Sequence, residues 1–187
     1  LVRLTAETLQ GIPSIVYGIF GYVFFNVALH LGFSMLSGAL TLSIMILPLI
    51  LRTTEEALMA VPDSYREGSF GLGAGKLRTV FRIVLPSAMP GVLAGVILAI
   101  GRIVGESAAL IYTSGSGTGN LSFIKNGAFS LTAPLLQSTR TLSVHMYALM
   151  SEGLYTEQAH ATAVILMVLV IGLNALSSYA AKKLTKQ

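Results

Sequence analysis

Residues 8–51 contain no Asp, Glu, Lys or Arg. Elements of a water-soluble fold need charged or polar side chains on the face they turn to solvent. A run this long without charge therefore folds only where something other than water covers it. A bilayer core does so, and a helix needs about 20 predominantly apolar residues to cross one. The run accommodates two such helices and a turn. They fall at about 13–31 ("PSIVYGIFGYVFFNVALHL") and about 35–51 ("MLSGALTLSIMILPLIL"), with "GFS" between them.

Composition agrees. Of 187 residues, 53% are hydrophobic and 11% charged, with a mean hydropathy of +0.76; a soluble domain carries about 25% charged residues. A water-soluble globule is excluded on that ground. The chain has no cysteine, so disulfides and thiol ligands are excluded and the redox compartment stays open. The net charge of +4 is modest, and its placement matters more than its sum, so it adds little to a nucleic-acid reading. The opening "LVRLTAETLQG" lacks the apolar h-region of a signal peptide and is expected to be the middle of a longer protein.

The same reading places a third span at about 88–111 and a fourth at about 160–180. The expected fold is an all-α membrane protein, a bundle of about four transmembrane helices. A polar segment, 52–82, holds Arg52, Arg66, Lys76, Arg78 and Arg82, and the tail holds Lys182, Lys183 and Lys186. Cytoplasmic loops carry the excess of Lys and Arg. Segment 52–82, Arg3 and the C-terminus are thus expected on the cytoplasmic side, and loop 112–158, opening with "TSGSGTGN", outside.

The third span contains "GRIVGESAAL", which sets Arg102 and Glu106 four residues apart in an oily stretch. On a continuous helix Gly91, Gly95, Leu98, Arg102, Gly105 and Glu106 share one stripe. Leu93, Val96, Ile97, Ile100, Ile103 and Val104 form an aliphatic face suited to lipid. Gly91/Gly95 and Gly101/Gly105 are small-xxx-small pairs that admit another helix backbone. Two readings follow for the charges. They line or gate a pathway, or they form an internal ion pair; burial of such a pair brings little net stability, and Arg before Glu is the weaker order at this spacing.

The most specific stretch is "REGSFGLGAGKLRTVFRIVLP", residues 66–86. It resembles the EAA loop of ABC importer permeases, in which Glu and two small residues precede a Gly and then Ile-x-Leu-Pro. The matching positions are Glu67, Gly68, Ser69, Gly73, Ile83, Leu85 and Pro86. The resemblance implies a short helix that docks into a cleft on an ATPase subunit, with Pro86 starting the span that bears Arg102. The alternative is an interfacial amphipathic helix without a partner. "GLGAGK" is not a phosphate loop: Gly71 lies only four before Gly75, no strand precedes it, and Leu77 stands where Ser or Thr is needed.

Three more stretches, "GIPSIVYGIFG", "RTTEEALMAVPDSYREGSFGLGAGK" and "AIGRIVGESAALIYT", narrow the resemblance to PstA-type permeases of bacterial high-affinity phosphate importers. That family usually has six spans, so the chain is expected to supply the last four. The resemblance implies an inner-membrane importer that moves phosphate by alternating access. Its implied partners are a PstC-type companion permease, a PstB-type ATPase dimer, a PstS-type periplasmic phosphate-binding protein and membrane lipid. It implies no cofactor on this chain, ATP and Mg being held by the ATPase. A permease for sulfate or molybdate, an ion-gradient transporter and a non-transporting scaffold remain as alternatives. Among other polar residues, His30 and His160 have no second metal ligand at useful spacing. Asn26 and Asn174 are expected to bond between helices, and Glu55 and Glu56 to contact the ATPase or solvent. Residues 142–155 are expected to pack against the bundle. No Ser/His/Asp set or carboxylate pair suggests catalysis.

Overall fold

The computed structural model describes residues 2–118, 123–125, 128–129, 132–153 and 155–185. Helix α1 (Val2–Gln10) is followed by α2 (Ser14–Gly21), which continues as a π-helical stretch, Tyr22–Ala28. Helix α3 (Met35–Met59) and the short α4 (Asp63–Gly71) come next. Helix α5 (Lys76–Thr79), a π-helical stretch Val80–Val84 and α6 (Leu85–Gly105) form one rod. Beyond it lie α7 (Ala108–Thr113), a two-residue ladder of β1 (Ile124–Lys125) with β2 (Ala128–Phe129), a 3-10 turn at Pro134–Leu136, α8 (Leu142–Glu152) and α9 (Thr156–Thr185). The fold is that of an all-α membrane protein.

Among the described residues three helices are long and apolar enough to cross a bilayer: Met35–Met59, Lys76–Gly105 and Thr156–Tyr179. The first expected span is shorter than the sequence suggests, running only from Ser14 to Ala28. Its second half takes wide π turns, and the chain then bends through positive φ at His30 and Gly32. It still lies antiparallel to α3. Gln10, just before it, accepts a 3.2 Å hydrogen bond from Arg52, and Asn26, near its end, bonds to Ser37.

Segment 52–82 is not a loop but almost wholly helical. Helix α3 runs through Arg52, Glu55 and Glu56, because no glycine or proline interrupts Leu49–Val61. The rod likewise starts at Lys76 rather than near 88. Pro86 removes a backbone donor and would break a regular ladder; the π-helical stretch lies immediately before it, where such a disturbance is absorbed.

Helices α3 and α6 pack antiparallel at close range. A Cβ on Gly91 would sit 2.7 Å from the Ala57 Cβ, and one on Gly95 would sit 2.7 Å from the Thr53 Cβ. These two glycines thus do what the small-residue spacing suggests. Gly101 faces Asn174 on α9, whereas Gly105 faces open space. Asn174 therefore packs on α6, and among the described residues it makes no hydrogen bond. The aliphatic face expected to meet lipid is half-buried at Leu93, Val96, Ile97 and Ile100, and α9 packs along α6. Leu98, expected on the protein-facing stripe, is 63% exposed instead.

The third span also breaks. Glu106 is extended, with φ −73 and ψ 125, and the chain restarts at Ser107 as α7. This half-helix lodges in a slot made by glycines: Gly18 against Ala109, Gly21 against Thr113, and Gly38 against Leu110 and Ser114. Asn26 holds its end, donating to the Tyr112 and Thr113 carbonyls at 3.3 and 3.2 Å. Among the expectations, the stretch Thr113–Asn120 is described only to Thr118, and Lys186 lies outside the described residues.

Candidate functional site

Two regions carry functional character, one at each end of the rod. The first is the hairpin of α4 and α5. Arg66, half-buried, donates to the Leu58 carbonyl at 2.9 Å and the Val61 carbonyl at 3.1 Å, and pairs with Asp63 at 2.6 Å. Leu58 is in the last turn of α3, whose carbonyls have no partner inside the helix. One side chain thereby caps α3 and fixes α4 to it. Beneath the clamp Val61, Val84 and Ala88 form a small core with Ala57 and Leu58.

Glycine at 73 ends α4. Its φ is +78, a left-handed conformation that side chains resist, and its N–H bonds to the Phe70 carbonyl at 2.9 Å. The chain returns so that the buried Ser69 hydroxyl meets that of Thr79 at 2.8 Å. The outer surface is left bare. Glu67 and Gly68 are exposed, and a Cβ at Gly68, Gly71, Gly73 or Gly75 would touch nothing within 4 Å. Leu72 is 91% exposed and Leu77 75%. No other large apolar side chain among the described residues is so exposed.

The seven motif positions therefore divide. Glu67 and Gly68 lie on the open face. Ser69 and Gly73 shape the hairpin, and Ile83, Leu85 and Pro86 belong to the root of the rod. A cleft of about 280 Å³ between the arms is lined by Ser69, Leu72, Gly73, Ala74, Arg78, Arg82 and Ile83. The sequence did not expose the Arg66 clamp, since an arginine gives no local sign of which carbonyls it will reach.

The second region is the interior around Arg102. Gly95 lies opposite Thr53, so Arg102 is seven residues, about 10 Å, deeper along the rod. It is half-buried, and among the described residues its guanidinium makes no hydrogen bond or ion pair. Tyr17 of α2 lies within its electrostatic reach; the Tyr17 hydroxyl itself donates to the Leu9 carbonyl at 2.7 Å. An unengaged guanidinium offers five N–H donors in a plane, suited to two oxygens of an oxyanion.

Glu106 is not its partner. The break after Gly105 takes Glu106 off the helical stripe, and its carboxylate accepts instead from the Ala109 N–H at 3.2 Å. Near the basic end, Glu56 pairs with Arg52 at 2.9 Å, while Glu55 makes no ion pair among the described residues. His30 sits exposed at the bend after α2, and His160 exposed on α9.

A polytopic helical bundle with a clamped, apolar-tipped hairpin at its basic end defines the class: a multi-pass membrane protein. The chain belongs to the family of binding-protein-dependent transport system inner membrane components, whose profile matches residues 1–186. Among named relatives, the probable ABC transporter permease protein YqgI of Bacillus subtilis (strain 168) is 36% identical over 98% of this chain and 66% of its own length. The phosphate transport system permease protein PstA 2 of Mycobacterium tuberculosis (strain CDC 1551 / Oshkosh) is 44% identical over 62% of this chain and 38% of its own length. The PstA homolog of Mycoplasma genitalium is 34% identical over 92% of this chain and 26% of its own. The chain thus spans less than two-thirds of each of these relatives. No solved structure matches it.

Proposed function

We propose that this chain is part of the permease of an ATP-driven importer that carries inorganic phosphate across the bacterial inner membrane by alternating access. The observation that carries the reading is Arg102, a permanent cation about 10 Å deeper along the rod than the Gly95–Thr53 contact, with its donors unengaged. The names of the PstA relatives support phosphate as the anion.

In this account the hairpin takes the stroke of a separate ATPase dimer. Glu67 and Gly68 meet the ATPase cleft, and Leu72 and Leu77 bury their side chains against it. The Arg66 clamp and the Ser69–Thr79 bond pass the displacement to α3 and to the rod, and so to Arg102. ATP and Mg are bound by the ATPase. A companion permease completes the pathway, and a periplasmic binding protein delivers the anion to the outer end. Helix α9 has the least buried apolar window, 11% against 33% for Met35–Met59, which supports contact with lipid and with the companion subunit. The hairpin and the C-terminus face the cytoplasm.

The test is purification of the full-length protein from its native membrane in mild detergent. An ATPase and a second permease should come with it in stoichiometric amount. Recovery of the protein alone, with uptake driven by an ion gradient, would replace this reading with a secondary transporter.

A further inference from the structure

Glu106 is the meeting point of three elements. Its backbone ends α6, its N–H bonding to the Ile103 carbonyl at 3.2 Å. Its carboxylate accepts from the Ala109 N–H at 3.2 Å, and so supplies one of the first-turn donors of α7 with a partner. That donor is deep: Ala109 has no exposed surface and presses on Gly18 of α2. The Glu106 carbonyl in turn accepts from the Ser143 hydroxyl at 2.7 Å, in the first turn of α8. Ser143 is 1% exposed, and its hydroxyl also meets that of Thr141, whose oxygen caps α8 by accepting from the Val144 N–H.

We infer that Glu106 is a positioning residue, a latch that fixes the break between α6 and α7 and ties it to α8, rather than a counter-charge in the pathway. The chemistry needed at this position is an acceptor on a three-atom reach, not a negative charge. The Ala109 N–H is neutral, and no cation bonds to the carboxylate among the described residues. Movement of the rod is then handed to α7, in its glycine slot, and to α8 together. Without the latch the rod could move while the outer half stayed behind. This inference deepens the transport reading and rests on it for its functional readout.

The experiment uses the full-length protein in its assembled complex, with a cysteine at Leu110→Cys, a buried position in α7, as a reporter independent of substrate. Glu106→Gln and Glu106→Ala are compared by alkylation rate of that cysteine and by phosphate uptake per complex. Glutamine keeps the acceptor and loses the charge. It should leave both readouts within about twofold of the parent, whereas alanine should raise alkylation and lower uptake at least about tenfold with little change in the KM for phosphate. Uptake lost equally in Glu106→Gln and Glu106→Ala would overturn the latch and restore the charge. Unchanged alkylation in Glu106→Ala would overturn it too. If the parent carries no phosphate, the transport reading fails, while alkylation still decides the latch.

Discussion

The hydroxyls of Ser69 and Thr79, both buried, meet at 2.8 Å and join the two arms of the basic-end hairpin. Thr79 is doubly held, since its hydroxyl donates to the Gly75 carbonyl at 3.2 Å and so accepts from Ser69. With Arg66 gripping α3 on the other side, the hairpin is tied across its two arms and to α3. In the proposed account a push on its tip is passed through these ties to α3 and the rod.

Docking is tested at Gly68. This position is helical and exposed, and a Cβ there would meet nothing within 4 Å, so Gly68→Trp is expected to leave the isolated fold unchanged. Gly73 is unsuitable for the same purpose, because its φ of +78 would strain any side chain. In the assembled complex the tryptophan ring should block close approach of the ATPase. Phosphate-stimulated ATP hydrolysis is expected to fall at least about tenfold, with the amount of permease in the membrane unaltered. Full stimulation would show that the ATPase binds elsewhere.

The α3–α6 contact makes a prediction about stability. Gly95→Leu drives atoms into Thr53, which cannot easily turn aside because its hydroxyl bonds the Leu49 and Ile50 carbonyls at 3.0 and 3.2 Å. Overpacking of this kind costs about 1–3 kcal/mol, and the purified complex should melt at a lower temperature. Gly105→Ala meets nothing within 4 Å and should melt like the parent. Equal behaviour of the two variants would mean that α6 does not press on α3 as described.

Much of this was legible in advance, and the omissions have physical causes. Helices α3, α6 and α9 announce themselves because long apolar runs leave few alternatives. A short helix around Glu67 is legible in the motif spacing, whereas its return through Gly73 as a hairpin is not. A helical wheel sets Arg102 and Glu106 on one stripe because it assumes an unbroken helix, and the break after Gly105 separates them. The sign of the break is present in Gly105-Glu106-Ser107, a glycine at the helix end followed by a serine at the N-cap position of α7, although the Glu106 carboxylate rather than the serine hydroxyl takes the first-turn donor. The π turns of α2 have no comparable signature. Neither does the slot for α7, since Gly18, Gly21 and Gly38 advertise a close neighbour without naming it.

Orientation is open to direct chemical test. The chain has no cysteine of its own, so single cysteines can be placed in a cysteine-free complex in intact cells. Ser116→Cys, exposed beyond α7, should react with a membrane-impermeant thiol reagent added outside. Leu77→Cys, on the hairpin and 75% exposed, should react only after the cells are opened. The reverse pattern would place the hairpin outside and remove its access to any cytoplasmic ATPase.

The central claim, that an interior arginine carries phosphate inward at the expense of ATP, is tested most directly by uptake into proteoliposomes. The complex is reconstituted with its binding protein outside and ATP inside, and labelled phosphate is followed with excess sulfate present. Uptake by the parent should require ATP and resist sulfate. Arg102→Lys keeps the charge but loses the planar fork, and should slow uptake per complex by about tenfold, a barrier increase of about 1.4 kcal/mol. Arg102→Ala should abolish uptake without loss of assembly, because among the described residues no buried partner is left unpaired. Near-parental uptake by Arg102→Ala, or uptake without ATP, would contradict the account.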